Sequence, residues 1–327
     1  AAVAAGVAAE AVAAREAVPE YMRGRDLGEV VFMGTGSAIP SKYRNVSGLF
    51  FNWFQHGGLL VDTGEGSYGQ LCRRYGPAGA LEVLRNLKMI WISHIHADHH
   101  VGAWRILSLR AALLGPGAPP LLVVGPRPLQ RTLTQFARIE PLNFKFLDCA
   151  HTVGLRPEEL QGGAPPAPLP ELAQLFEEAK GGLGLTSLSS VDVIHCPHAF
   201  GLIMEHGSGL KVAYSGDTRP CPKLVEAARG VDVLIHEATF DDTLEEEAVA
   251  KRHSMTREAV ESGRDMGAYR TVLTHFSQRY PKIPTFDESF TSTTCIAFDL
   301  MAANWGDVPY LPHLLPALKE VFEEQGG

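Results

Sequence analysis

Cysteine is scarce and unpatterned in this 327-residue chain: Cys72, Cys149, Cys196, Cys221 and Cys295 form no Cys-x-x-Cys pair and no even-numbered set. A disulfide framework is thereby excluded, and a reducing compartment is favoured. No run of 18 or more apolar residues escapes a charge or a turn former, so no segment reads as a membrane-spanning helix. Positive charge is also short, with 29 Lys and Arg against 37 Asp and Glu and a net charge of −8. Indiscriminate nucleic-acid binding is disfavoured, although totals hide patches. Acidic residues crowd between Asp241 and Glu247, whereas Lys42, Arg44, Arg73, Arg74, Arg279 and Lys282 sit close to polar motifs. Exact internal repeats and a clear second domain are missing. Gly34-Thr-Gly-Ser37 lacks the spacing of either phosphate-binding glycine loop, so it reads as a tight turn and implies no nucleotide cofactor.

Forty-five per cent apolar and 20 per cent charged residues are ordinary for a folded domain with a sizeable core. Apolar runs bounded by Gly, Pro and polar clusters predict strands at Glu29 to Met33, Gly48 to Phe54, Gly58 to Asp62, Met89 to Ser93 and Leu121 to Val124. Further strands follow at Val191 to His195, Leu202 to His206, Lys211 to Ser215, Val231 to His236 and Thr271 to Thr274. Helical spacing covers Tyr68 to Arg74, Ala103 to Leu114, Leu129 to Ile139, Glu171 to Lys180, Lys223 to Ala228, Glu245 to Lys251 and Thr256 to Met266. Strand and helix alternate, which predicts a layered α/β fold. The Ala-rich residues 1–27 read as a linker, and 28–327 as one domain.

His94, His96, Asp98 and His99 fall within six residues just after an apolar stretch. One histidine beside apolar residues is usually a satisfied core or surface group. Four donors together reverse that balance, because burying unpaired polar groups costs about 2–7 kcal/mol each. They read as one wall of a metal site. A strand sends alternate side chains to the same face, so His94 and His96 would point together, and the following turn would aim Asp98 and His99 at a second point. Two clusters suggest two ions. His195, Asp217, His236, Glu237 and His275 also close predicted strands, at the end where α/β sheets gather their sites.

The order of these motifs resembles the metallo-β-lactamase superfamily, an αββα four-layer sandwich. Within it the chain is similar to the tRNase Z family of endonucleases that trim the 3′ trailer of precursor tRNA. The resemblance is carried by residues 34–45, Leu60 to Gly66, Ser93 to His100, His195 to Gly201, Ser215 to Thr218, His236 to Thr239 and His275 to Tyr280. It implies two zinc ions, one held by His94, His96 and His195, the other by Asp98, His99 and His275, with Asp217 bridging. His198 competes with His195 for the third position; His195 is preferred, with His198 left as an orienting or substrate-side group. Asp62 matches a strand-end carboxylate that orients a ligand imidazole.

Two ions about 3.5–4 Å apart would ready a hydroxide for attack on the phosphodiester just past the discriminator nucleotide. Asp98 would accept a proton, and Glu237 with His253 would return one to the leaving oxygen. Met255 departs from the family's usual His-Ser-Thr. Lys42, Arg44 and Asn45 lie in the motif that the family uses for substrate handling, and Ser277 and Arg279 are placed to contact the scissile phosphate. Short family members insert a tRNA-clamping arm between the third ligand motif and the bridging Asp. Residues 196–216 leave no room for it, so the chain resembles the catalytic C-terminal half of a long form. The implied partners are precursor tRNA and an arm-bearing N-terminal half, and the implied setting is intracellular, with nucleus, mitochondrion and plastid all open. The rival readings are another phosphodiesterase of the same fold and a non-catalytic tRNA-binding half; the latter should have lost ligands.

Overall fold

Each of two sheets begins antiparallel and ends parallel, and the parallel strands deliver the candidate residues. The computed structural model describes residues 18–154, 167–279 and 292–315. In the first sheet, β1 (Glu29–Gly34), β2 (Gly48–Asn52) and β3 (Gly58–Thr63) form a meander, and β4 (Leu87–Trp91), β5 (Leu121–Gly125) and β6 (Phe144–Asp148) follow in parallel. The second comprises β7 (Leu185–Asp192), β8 (Phe200–His206) and β9 (Lys211–Tyr214), antiparallel, then β10 (Val233–Glu237), β11 (Arg270–Thr274) and β12 (Thr294–Ile296) in parallel. The chain then returns to the first sheet as β13 (Ala302–Asn304), antiparallel to β1.

The period of two sorts each strand's residues into opposite layers. Val30 and Phe32 join Phe51, Val61, Trp91, Leu202, Val212 and Ile235 between the sheets. Val31 and Met33 face the other way, with Leu60 and Ile90, under Leu71 and Leu84 of helix Ser67–Asn86 and Ile106 of helix Ala103–Leu114. On the far side, Ala213 and Leu234 pack under Leu224 of helix Pro222–Ala227, and Leu273 packs under Ala259 of helix Thr256–Met266. Helix, sheet, sheet and helix therefore stack in four layers, as the αββα expectation had it. Strands buried on both faces explain why β3 and β5 carry nearly unbroken apolar runs.

Several boundaries differ from the sequence expectation. Strand β4 stops at Trp91, so His94 and His96 are not on a strand, and strand alternation does not explain their convergence. They lie in the loop that leads into the short helix Ala97–His100. Likewise β7 runs from Leu185 to Asp192, and His195 sits beyond its end instead of closing it. Helix Ser67–Asn86 extends past the predicted Arg74 because Gly76, at φ 73, turns the chain and Pro77 restarts it. Strands β6, β12 and β13 were not anticipated; the last two have three residues each, too few to show a period. Within the stretch read as linker, Val18 and Met22 are buried in the inter-sheet core with Trp305, while residues 1–17 lie outside the described residues, as does Tyr280. Residues 196–216 are occupied by β8 and β9, leaving no inserted arm between His195 and Asp217.

Candidate metal centre

Two groups of donors meet where the C-terminal ends of the parallel strands face each other across the sandwich, as the rule for α/β sheets predicts. The first sheet supplies Asp62 from β3 and the His94–His99 loop after β4. The second supplies Asp217 after β9, Glu237 from β10 and His275 after β11, with His195 entering from the loop beyond β7. Close backbone approach makes this possible. A Cβ on Gly64 would lie 2.1 Å from the Asp98 carbonyl oxygen, so only glycine lets β3 support the helix that carries Asp98 and His99.

His96 Nδ1 lies 3.0 Å from His94 Nε2 and 3.1 Å from His195 Nε2. Asp217 Oδ2 is 3.6 Å and 3.8 Å from the same His94 and His195 nitrogens. Beside this group, His99 Nε2 is 3.3 Å from His275 Nε2. Asp98 Oδ2 approaches these two nitrogens at 3.6 and 3.5 Å, and Asp217 approaches them through Oδ2 at 3.2 Å and Oδ1 at 3.4 Å. The first set is thus His94, His96, His195 and Asp217, the second Asp98, His99, His275 and Asp217.

The donor set fits divalent cations on three grounds. Ring nitrogens about 3.3 Å apart are what a tetrahedral ion with bonds of about 2.0–2.1 Å requires. Asp217 Oδ1 is buried without a hydrogen-bond partner, a costly state that a cation relieves. The far ring nitrogens are already committed. His94 Nδ1 meets Ser93 Oγ at 3.0 Å, His99 Nδ1 meets Asp62 Oδ2 at 2.8 Å, His195 Nδ1 meets the Arg252 carbonyl at 2.8 Å and His275 Nδ1 meets Thr239 Oγ1 at 2.9 Å. Such partners fix the tautomer and turn each inner nitrogen toward the centre.

Electrostatics point the same way. Burial, reinforced by neighbouring imidazoles, holds His94 well below its usual range, and burial lowers His96 and His195. Burial alone would raise Asp98 and Asp217, but the surrounding histidines outweigh it and keep both ionised. His99 is desolvated, yet Asp217, Asp98 and Asp62 push it well above its usual range. Neutral imidazoles, ionised carboxylates and a spot where three carboxylates demand positive charge are the conditions of a metal pocket.

Asp62 is fully buried at φ 54 and accepts from the Ser93 N–H, the Ser93 hydroxyl, His99 Nδ1 and the Tyr214 hydroxyl, each at 2.8 Å. On the opposite rim, His253 Nδ1 bonds Glu237 Oε1 at 2.9 Å. Burial works against the charged imidazole, but the Glu237 carboxylate prevails and raises His253 to about 9. Glu237 is steadied by the Thr218 N–H at 2.7 Å and the Thr239 hydroxyl at 2.6 Å. His253, Asp98, Asp217 and His275 line a cavity of about 510 Å³ together with Ile39, Phe240, Ser277 and Arg279.

Other predicted residues lie elsewhere. His198 is exposed at φ 61 and outside the donor groups, whereas His195 is within them. His236 is buried, with Nδ1 on the Glu237 carbonyl at 2.7 Å. Arg44 is only 3% exposed; its guanidinium lies 4.7 Å from the Phe276 ring and donates to Thr35 Oγ1 at 2.6 Å, so it braces the loop from beneath. Lys42 is exposed beside Tyr43, and Asn45 donates to the Glu65 carbonyl at 2.9 Å. Arg279, at the cavity rim, pairs with Glu247 at 2.8 Å. The sequence reading gave no role to Ser93, Thr239, Arg252 or Asp299. Ser93 and Thr239 stand inside quoted motifs, while Asp299, which accepts from Thr35 and the Asn45 N–H, is marked by no local pattern.

Four layers and a seam of histidines and carboxylates define a class, and residues 58–276 match the Beta-lactamase superfamily domain: the chain belongs to that family. Within it, the chain is 48% identical to "tRNAse Z TRZ4, mitochondrial" of Arabidopsis thaliana, over 92% of this chain and 37% of that protein. It is 43% identical to "Zinc phosphodiesterase ELAC protein 2" of Homo sapiens, over 90% of this chain and 35% of that protein. Among solved structures, a long form RNase Z from yeast superposes with a TM-score of 0.79 at 28% identity, covering 90% of this chain and 44% of that one. Human tRNase Z, short form, shares the fold with a TM-score of 0.62 at 24% identity. The chain spans little more than a third of the length of the long relatives.

Proposed function

We propose that this chain is the catalytic portion of a zinc-dependent endoribonuclease that removes the 3′ trailer of precursor tRNA, cutting just past the discriminator nucleotide. The observation that carries the reading is the convergence of seven side chains, His94, His96, Asp98, His99, His195, Asp217 and His275, at one seam between the sheets. The first ion would be held by His94 Nε2, His96 Nδ1 and His195 Nε2, the second by Asp98, His99 and His275, and Asp217 would serve both. Bound there, two divalent cations supply the Lewis acidity that activates water and offsets phosphate charge. The complete ligand set also speaks against a merely scaffolding half.

The chain's own residues do the remaining work. Asp98 Oδ2 receives the Ala38 N–H at 2.6 Å, which holds the carboxylate at the cavity wall, where it is placed to accept a proton from the attacking water. His253, kept charged by Glu237, faces the same cavity and holds a proton for the departing oxygen. Ser277 and Arg279 border the cavity, and Lys42 stands exposed on the loop beside it; these are the proposed contacts to RNA phosphate. Arg44 and Asn45 would shape that loop from below.

The missing length of the relatives suggests an N-terminal half that supplies the rest of the tRNA surface. Names of the Arabidopsis relatives include the word mitochondrial, which supports an organelle setting; among the described residues no helix is long and apolar enough to cross a membrane. The test is metal analysis followed by cleavage of precursor tRNA with and without a 3′ CCA, mapping the new ends. Two zinc equivalents, a tRNA ending in a 3′-hydroxyl on the discriminator, a trailer with a 5′-phosphate and weak activity of this chain alone are expected. Cleavage elsewhere would overturn the substrate assignment, and full activity alone at physiological salt would overturn the need for a partner half.

A further inference from the structure

His195 and His253 come from separate stretches of chain, yet their rings lie 4.8 Å apart, and the residue next to His253 is bonded to His195. We propose that Arg252 is a positioning residue that sets the His195 ring in the first ion site through a two-way clasp; the inference rests on the metal reading above. The Arg252 carbonyl accepts from His195 Nδ1 at 2.8 Å, and the Arg252 guanidinium donates to the His195 carbonyl at 2.6 Å. The bonds run in opposite directions between the same two residues. One fixes the ring and the other fixes the loop that carries it.

With its Nδ1–H committed, His195 presents a bare Nε2, which lies 3.1 Å from His96 Nδ1 and 3.8 Å from Asp217 Oδ2. The backbone at Arg252 supports a role for the side chain. It ends helix Glu245–Lys251 in the left-handed region, at φ 57 and ψ 48, where glycine fits at lower cost. The turn also brings the His253 N–H back to the Ala248 carbonyl at 2.9 Å, so His253 leaves from a fixed point beside the clasp. Ligand and proton-holding histidine are thereby set in mutual register by one arginine.

The test is a zinc titration of the full chain against a competing chromophoric chelator, with thermal unfolding of the metal-free protein, for wild type, Arg252→Gly and Arg252→Lys. Arg252→Gly relieves the left-handed backbone, so its metal-free unfolding temperature should hold or rise. Even so, one of two zinc equivalents should weaken several-fold, because glycine keeps the carbonyl that holds His195 Nδ1 and removes only the guanidinium that fixes the loop. Arg252→Lys should recover part of that loss, since one ammonium reaches one carbonyl without the guanidinium fork. Unchanged binding of both equivalents by Arg252→Gly would overturn the proposal, as would a joint weakening of both in step with a lower unfolding temperature, the mark of a purely structural contact. A wild-type chain that binds no zinc would sink the metal reading itself, and this inference with it.

Discussion

A single carboxylate, that of Asp62, gathers four donors and thereby fixes the ring of His99. Asparagine tolerates the same left-handed backbone, so Asp62→Asn removes the charge with little added strain. The expected result is about 10–100-fold weaker binding at the ion site proposed for His99, with a loss of roughly 2–4 kcal/mol in stability, checked by zinc titration and denaturant unfolding. Glu237 acts on His253 in a different way. Because its charge holds the imidazole at about 9, a reaction that needs protonated His253 should fall off as pH rises through that value. Glu237→Gln withdraws the support, so the alkaline limb of the pH–rate profile should move to lower pH, with turnover down by about 100-fold. A limb that stays in place would remove His253 from the proton path.

Between β3 and the Ala97–His100 helix the spacing is set by one missing methyl group. Gly64→Ala would drive a Cβ into the Asp98 carbonyl, and we expect about 2–4 kcal/mol of destabilisation and loss of the zinc equivalent proposed for Asp98 and His99, read from unfolding curves and metal stoichiometry. At this scale the legibility of the sequence divides cleanly. Doubly buried strands such as β3 and β5 and the helices Ala103–Leu114 and Thr256–Met266 announce themselves, because a two-sided environment leaves a nearly unbroken apolar run and a one-sided one a helical stripe. Strands β12 and β13 owe their pairing to β11 and β1, partners that local composition does not reveal. The same divide runs through the site. The dense histidine run signalled a metal pocket, yet the loop and short helix that make His94 and His96 converge were misread as strand, because two-residue spacing fits both. Arg44 looked like a phosphate anchor in its motif and is a buried brace, since its partners Phe276 and Asp299 lie more than two hundred residues away.

Taken whole, the molecule stacks ionised carboxylates and imidazoles along the interface of its two sheets, and there Asp217 Oδ1 is buried without a hydrogen-bond partner. Stripping the metal with a chelator should lower the unfolding temperature by roughly ten degrees, a shift reversed by adding zinc back, since a ligand at about a thousand times its Kd contributes about 4 kcal/mol. An unchanged melting profile would show that the seam is content without ions. The division of donors between the sheets has a consequence for the life of the chain. His94, His96, Asp98 and His99 emerge from the ribosome long before His275, and each sheet by itself offers only part of either ligand set. A chain still being made, or one whose layers have come apart, therefore holds neither donor set complete, and both are finished only with the closing of the sandwich.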